Sequence, residues 1–186
     1  MSAFSVHTET TAPEGARETL AGVRKSIGFV PNLMGVLAEA PGALEGYLTL
    51  SNLFESSSLS PVERNVVLLS VSFDNGCDYC MAAHSGLAKM QGVPEDVILA
   101  LRDGSPIKEP KLQALRAFTA LITRQRANLP ESEVEGFLAA GFTQRQVLEV
   151  ILGVTQKTLS NYVNHIARTP LDGAFAAMKW SRPALR

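Results

Sequence analysis

Ser60-Pro61-Val62-Glu63-Arg64-Asn65-Val66-Val67-Leu68-Leu69-Ser70-Val71-Ser72-Phe73-Asp74-Asn75-Gly76-Cys77-Asp78-Tyr79-Cys80-Met81-Ala82-Ala83-His84 is the stretch whose reading decides the fold. Ser60 is a natural N-cap, with Pro61 at the first helical position and Glu63 at the third, which together make a capping box. The apolar run that follows to Phe73 is long and near-continuous, which predicts a buried central helix, although Val66, Val67 and Val71 would also suit a strand. Gly76 reads as the break after it. Beyond the break, helical geometry puts Cys77, Cys80 and His84 at i, i+3 and i+7, on one face.

Cys77 and Cys80 are the only cysteines in the chain, and His84 is one of its three histidines. Cys77 falls in the first turn of the expected helix, where free N–H groups and the positive end of the dipole favour a thiolate. A histidine one turn after Cys80 can take its proton or carry a stabilising positive charge. The pattern predicts a dithiol redox site. A zinc site would need a fourth ligand, and His7 and His165 have no neighbours at ligand spacing. A structural disulfide across so short a loop would stabilise little. Two unrelated core thiols remain as the plain alternative.

Working outward, the rest of the chain also reads as helix. Leu20, Val23 and Ile27 repeat at helical spacing after Pro13, and a short helix from Pro31 closes before Pro41. Further helices are expected over 42–57, 94–102, 110–125 and 130–139, and Thr143 caps a long one through Val147, Ile151, Val154 and Leu159. The 110–125 segment carries Leu112, Leu115, Phe118, Leu121 and Ile122 as an amphipathic stripe, with Lys111, Arg116, Arg124 and Arg126 as its solvated face. Shifting the sequence by 83 residues aligns Ser60 with Thr143 and Tyr79 with Tyr162. That is a weak internal repeat, compatible with two similar helical halves. Near the end, Asn161, Tyr162, Asn164 and His165 form a polar cluster. There His165 would either satisfy helix-end carbonyls or an interface, or line the reactive pocket. The apolar tail from Leu171 to Trp180 is expected to dock on the core or on a second subunit.

Composition sets limits. With 186 residues and a formal net charge of −1, the chain has room for a sizeable core in one domain spanning 1–186. Sparse charges of mixed sign argue against nucleic acid or an anionic membrane as partner. The amino terminus lacks a basic region followed by an apolar core, and no apolar stretch approaches the roughly 20 residues that span a bilayer. The expectation is a cytoplasmic protein, a setting in which a Cys-x-x-Cys is more often catalytic than structural.

The motif from Leu59 to Ser85 closely resembles the AhpD-like alkylhydroperoxidases of the carboxymuconolactone decarboxylase superfamily, and most of all the peroxidase-related branch. The resemblance reaches back to Gly28-Phe29-Val30-Pro31-Asn32 and forward through Gly141-Phe142-Thr143 and Leu159 to Ala167. It implies an all-α, AhpD-like helical bundle that reduces hydroperoxides by a dithiol–disulfide cycle without a metal or organic cofactor. By the family pattern Cys80 is the peroxidatic residue, Cys77 the resolving one and His84 the base. It implies a dithiol reductant protein as electron donor and a homo-oligomer built on dimers. Relatives carry a glutamate where this chain has Asn65, and the best-known ones a histidine where it has Tyr79, so these two positions are the candidates for an altered proton relay. An amide can orient a histidine but cannot take its proton. Two other readings of the same motif are a protein thiol–disulfide oxidoreductase and a non-catalytic redox sensor or binding module. The family's lactone decarboxylases generally lack the cysteine pair.

Overall fold

Burial settles the ambiguity of the 66–73 run. In the computed structural model, which describes residues 3–183, it belongs to α4, Pro61–Asp74, and every residue from Asn65 to Phe73 is buried. A run enclosed on all sides needs its backbone groups satisfied internally, which a helix does within one segment. Ser70 and Ser72 fit there because their hydroxyls donate to the carbonyls of Val66 (2.6 Å) and Leu68 (2.8 Å). The capping box is present: Glu63 N–H donates to Ser60 Oγ at 3.2 Å, and Ser60 N–H donates to Glu63 Oε2 at 2.8 Å. Such a cap contributes about 1 kcal/mol.

Around α4 the chain lays down α1 (Glu14–Ile27), α2 (Asn32–Leu37), α3 (Pro41–Glu55), α5 (Asp78–Met90), α6 (Glu95–Asp103), α7 (Pro110–Gln125), α8 (Glu131–Ala139) and α9 (Gln144–Ala167), and then a 3-10 helix, Gly173–Met178. No strand occurs among the described residues, and the fold is all-α as the sequence predicts. One apolar core joins α4, α6, α7 and α8 with the first half of α9, through Val67, Leu69, Leu101, Leu115, Phe137 and Val150. A second core joins α1, α2 and α3 to the start of α5, through Leu20, Leu37, Leu44, Tyr47, Cys77 and Cys80. The motif thus belongs to the second core, at the point where α9 passes.

Two glycines make that approach possible. Gly76, at φ +66°, turns the chain from α4 into α5 in a conformation that other residues rarely adopt. A Cβ at Gly153 would stand 2.6 Å from the Phe54 ring and 3.0 Å from Val67, so α9 can pack this closely on α3 and α4 only without a side chain there. The capping box repeats at Thr143 and Gln146. However, α9 continues unbroken for 24 residues where the first half stops at Asn75.

The tail docks on its own chain. The Trp180 indole N–H donates to Arg102 O at 2.9 Å and its ring lies 5.9 Å from that of Phe73. Arg102 also donates to Met178 O and Lys179 O. Among the described residues no helix is long and apolar enough to cross a membrane.

Candidate active site

Cys77 is the N-cap of α5 rather than a residue of its first turn, because the chain is still extended there as it leaves the Gly76 bend. Cys80 lies one turn in. Both thiols are free and each is 1% exposed. A buried sulfur needs polar partners to ionise, and α9 supplies them. Asn164 Nδ2 donates to Cys80 Sγ at 3.2 Å and reaches Cys77 Sγ at 3.9 Å. The Ser160 hydroxyl lies 3.8 Å from Cys80 Sγ. Asn161 accepts from Asn75 Nδ2 at 2.9 Å, which orients its own amide towards the sulfurs. Lys157 is fully buried (0% exposed), and its Nζ has no hydrogen-bond partner among the described residues.

These groups separate the two thiols electrostatically. Burial pushes the Cys80 thiol up, but a hydrogen bond from Cys77, the Lys157 ammonium, Ser160 and Asn161 outweigh it and bring Cys80 well below the ordinary thiol value. Cys77 moves the opposite way, because it donates to Cys80, is buried, and sits beside that negative charge. At neutral pH this arrangement favours the thiolate on Cys80 and the thiol on Cys77. A nucleophile and a proton-bearing second thiol stand side by side.

His84 is half-buried and its imidazole is held well below its ordinary pKa by burial and then by Lys157, so it is neutral at pH 7. It stands between two spaces. On one side is a cavity of about 690 Å³ lined by Cys80, His84, Lys157, Tyr79 and the apolar side chains of Phe29, Leu33, Met34, Leu48 and Phe175. On the other is a smaller one of about 130 Å³ shared with Asn65, Gln91 and Gln156. Asn65 Nδ2 donates to Pro61 O (2.8 Å) and Gln91 Oε1 (2.6 Å). It lines the smaller cavity together with His84 and is not part of the wall of the large cavity that Cys80 lines.

Tyr79 lines the large cavity, but its hydroxyl is committed elsewhere. It donates to Asp172 Oδ2 at 2.5 Å and accepts from Leu33 N–H at 3.3 Å, while Asp172 Oδ1 accepts from Asn32 N–H. Burial and the Asp172 bond push its pKa up, which makes Tyr79 a tie between α2, α5 and the tail rather than a proton carrier. Of the polar cluster near the end of α9, Asn161 and Asn164 reach the thiols, whereas Tyr162 and His165 face outward and line neither cavity. Among the described residues no three His, Cys, Asp or Glu side chains stand where they could share a metal ion.

Lys157 and Ser160 are the residues that the sequence reading misses, while Asn161 and Asn164 enter it only as members of the polar cluster around His165. Gln156, Lys157, Ser160, Asn161 and Asn164 form a buried polar stripe at helical spacing along α9, and that spacing is the signal that marks them.

The carboxymuconolactone decarboxylase family model matches residues 21–107, the stretch from α1 through the cysteine pair to α6. The fold of the chain is AhpD-like, and the family match is confined to that stretch. Its structure is similar to that of an alkylhydroperoxidase AhpD core, a peroxidase-related protein from Ralstonia eutropha JMP134, with a TM-score of 0.81 at 20% identity over 94% of each chain. A peroxidase-related protein from Silicibacter sp. TM1040 superimposes with a TM-score of 0.77 at 22% identity, covering 94% of this chain and 93% of that one. The debrominase Bmp8 in complex with 2,3,4-tribromopyrrole gives 0.74 at 17% identity, over 96% and 97%. Among curated proteins, none matches the chain significantly.

Proposed function

We propose that this protein is a thiol peroxidase that reduces organic hydroperoxides through a Cys80–Cys77 dithiol–disulfide cycle. The observation that carries this reading is the pairing of a stabilised Cys80 thiolate with a protonated Cys77 at an apolar cavity of about 690 Å³. Cys80 attacks the terminal peroxide oxygen and becomes a sulfenic acid. Cys77 then displaces hydroxide to form the disulfide, and an external dithiol returns the pair to thiols. The cavity wall favours a hydroperoxide with a hydrocarbon or aromatic body over hydrogen peroxide.

The size and apolar wall of the cavity that Cys80 lines weigh towards a small molecule over a protein disulfide as the oxidant. A second reading is favoured by the aromatic lining and by the likeness to the debrominase: the same dithiol could take halogen from a halogenated arene. The test is steady-state turnover with dithiothreitol as reductant, offering cumene hydroperoxide, hydrogen peroxide and a brominated pyrrole in parallel. Many turnovers on cumene hydroperoxide, above those on hydrogen peroxide, support the proposal. A single oxidation without turnover would identify a sensor, and bromide release alone would identify the dehalogenase.

The proposal includes a cytoplasmic homo-oligomer that draws electrons from a dithiol reductant protein. Self-association is supported by Leu148, Ile151, Tyr162 and Ile166, which leave an apolar stripe exposed along the outer side of α9 (68%, 38%, 57% and 72%).

A further inference from the structure

An ammonium group buried at 0% exposure with no hydrogen-bond partner among the described residues is costly unless a negative charge stands beside it. Lys157 is in that position. Among the described residues that line the large cavity there is no aspartate or glutamate; the titratable groups there are Tyr47, Tyr79, Cys80, His84 and Lys157. Tyr79 is tied to Asp172. The smaller cavity adds Glu55 and Arg64, but these bond to each other at 2.8 Å. What remains to balance the Lys157 charge is the Cys80 sulfur. Two more buried atoms on the same helix have no hydrogen-bond partner among the described residues, Gln156 Oε1 and Asn164 Oδ1, so this side of the site is set up for polar atoms that the resting protein does not supply.

We propose that Lys157 is the counter-ion of the Cys80 thiolate and the proton donor to the oxygen that leaves the peroxide. This deepens the peroxidase reading and rests on it for the second role only. The Cys80 thiolate attacks the hydroxyl oxygen of ROOH. The S–O bond forms, the O–O bond breaks, and the two electrons come from sulfur. The departing alkoxide takes a proton from the Lys157 ammonium and leaves as ROH, so that Cys80–SOH faces a neutral amine. Cys77 S–H then attacks the Cys80 sulfur: the S–S bond forms, the S–O bond breaks, and hydroxide departs as water with the Cys77 proton. When a dithiol reduces the disulfide, Cys80 is released as a thiol and returns a proton to Lys157. The cycle thus closes without a carboxylate. A lysine on α9 does the work that a glutamate on α4 would do through His84 on α5, and the asparagine at position 65 is no loss to it.

The experiment compares the native protein with Lys157→Met and Lys157→Arg, each checked for helical content by circular dichroism. The pH midpoint of Cys80 alkylation is read by peptide mass mapping in the absence of any peroxide. Removing the charge should raise the midpoint by about 1–3 pH units, and arginine should keep it low. A folded Lys157→Met protein with an unchanged midpoint would overturn the counter-ion role whether or not the protein is a peroxidase. The donor role is read on the native protein, which folds by definition, using hydroperoxides whose leaving alcohols differ in acidity. With a donor in place the rate should be nearly independent of that acidity, and in Lys157→Met it should fall steeply for the less acidic alcohols, by about 10²-fold or more. A steep dependence already in the native protein would remove Lys157 from proton transfer. If the native protein consumes no hydroperoxide at all, the peroxidase reading fails while the midpoint result stands on its own.

Discussion

Asn164 holds Cys80 from 84 positions away: its Nδ2 donates to the Cys80 sulfur at 3.2 Å across the α9–α5 junction. A hydrogen bond to a charged group contributes about 1.5–3 kcal/mol. Since each pKa unit corresponds to about 1.36 kcal/mol, Asn164→Leu should raise the Cys80 midpoint by about 1–2 pH units. Asn164→Asp, which puts a second negative charge beside the sulfur, should raise it further. Alkylation rates against pH decide this. Equal midpoints in all three proteins would show that the amide only fills space.

The two thiols should fail differently. Cys80→Ser removes the nucleophile and should abolish hydroperoxide consumption. Cys77→Ser leaves Cys80 able to be oxidised once, so that a sulfenic acid accumulates, trappable with dimedone, or proceeds to the sulfinic state. The opposite shifts of the two sulfurs set this order. A dimedone adduct on Cys77 in the Cys80→Ser protein, with activity retained, would reverse the roles.

The same shifts fix the pH profile. Cys80 is lowered, so the reactive thiolate is present at every pH above its folded value and is lost only as the pH falls through that value. Alkylation of Cys80 should therefore be flat from pH ~7 to ~8.5, whereas an unperturbed thiol, with its pKa of about 8.5, would gain about tenfold per unit below it. Denaturation should restore that ordinary slope. A tenfold rise per unit in the folded protein would contradict the electrostatics described here.

Tyr79→Phe separates a structural tie from a relay. Loss of the hydroxyl leaves Asp172 without its 2.5 Å partner and Leu33 N–H without an acceptor. A buried group left unsatisfied costs about 1–3 kcal/mol, which should appear as a lower denaturation midpoint. The Cys80 alkylation midpoint should stay in place, and a clear shift in it would return Tyr79 to the relay.

What could be read in advance follows from how far apart the interacting residues are. The capping boxes at Ser60 and Thr143, the break at Gly76 and the helical stripe of 110–125 are local, and the structure has each of them. The cysteine pair and His84 are local as well. Lys157, Ser160, Asn161 and Asn164 show their polar periodicity in the sequence, but periodicity does not say which surface the stripe meets. That depends on Gly153 letting α9 close on Phe54 and Val67. Of the two readings of His165, the pocket one is not met, since Asn161 and Asn164 on α9 turn inward while His165 stays exposed. The tail is a similar case: its apolar content is plain, but only Trp180 reaching Arg102 O shows that it docks on its own chain.

Asn65→Glu tests how much of the family's relay this site still needs. From the sequence alone, a glutamate there should lower the thiol pKa and speed peroxide reduction by about the 10²-fold of a modest general base. The structure changes that expectation. Asn65 lines the smaller cavity with His84 and not the one that Cys80 lines, and Cys80 is already lowered by Cys77, Lys157, Ser160 and Asn161. Once the thiolate is fully formed at neutral pH, a further fall in its pKa adds no nucleophile. The direct effect of a carboxylate should therefore fall on His84, whose depressed pKa should rise, because an opposite charge nearby favours the imidazolium. A cost should accompany it, since the glutamate cannot donate to Pro61 O and Gln91 Oε1 as Asn65 does. The expected outcome is a higher His84 midpoint by NMR titration, a lower denaturation temperature, and a neutral-pH peroxide rate within about threefold of the native one, well short of that general-base gain. An acceleration of about 10²-fold would show instead that proton transfer through His84 limits the native protein, and that Lys157 does not replace the missing carboxylate.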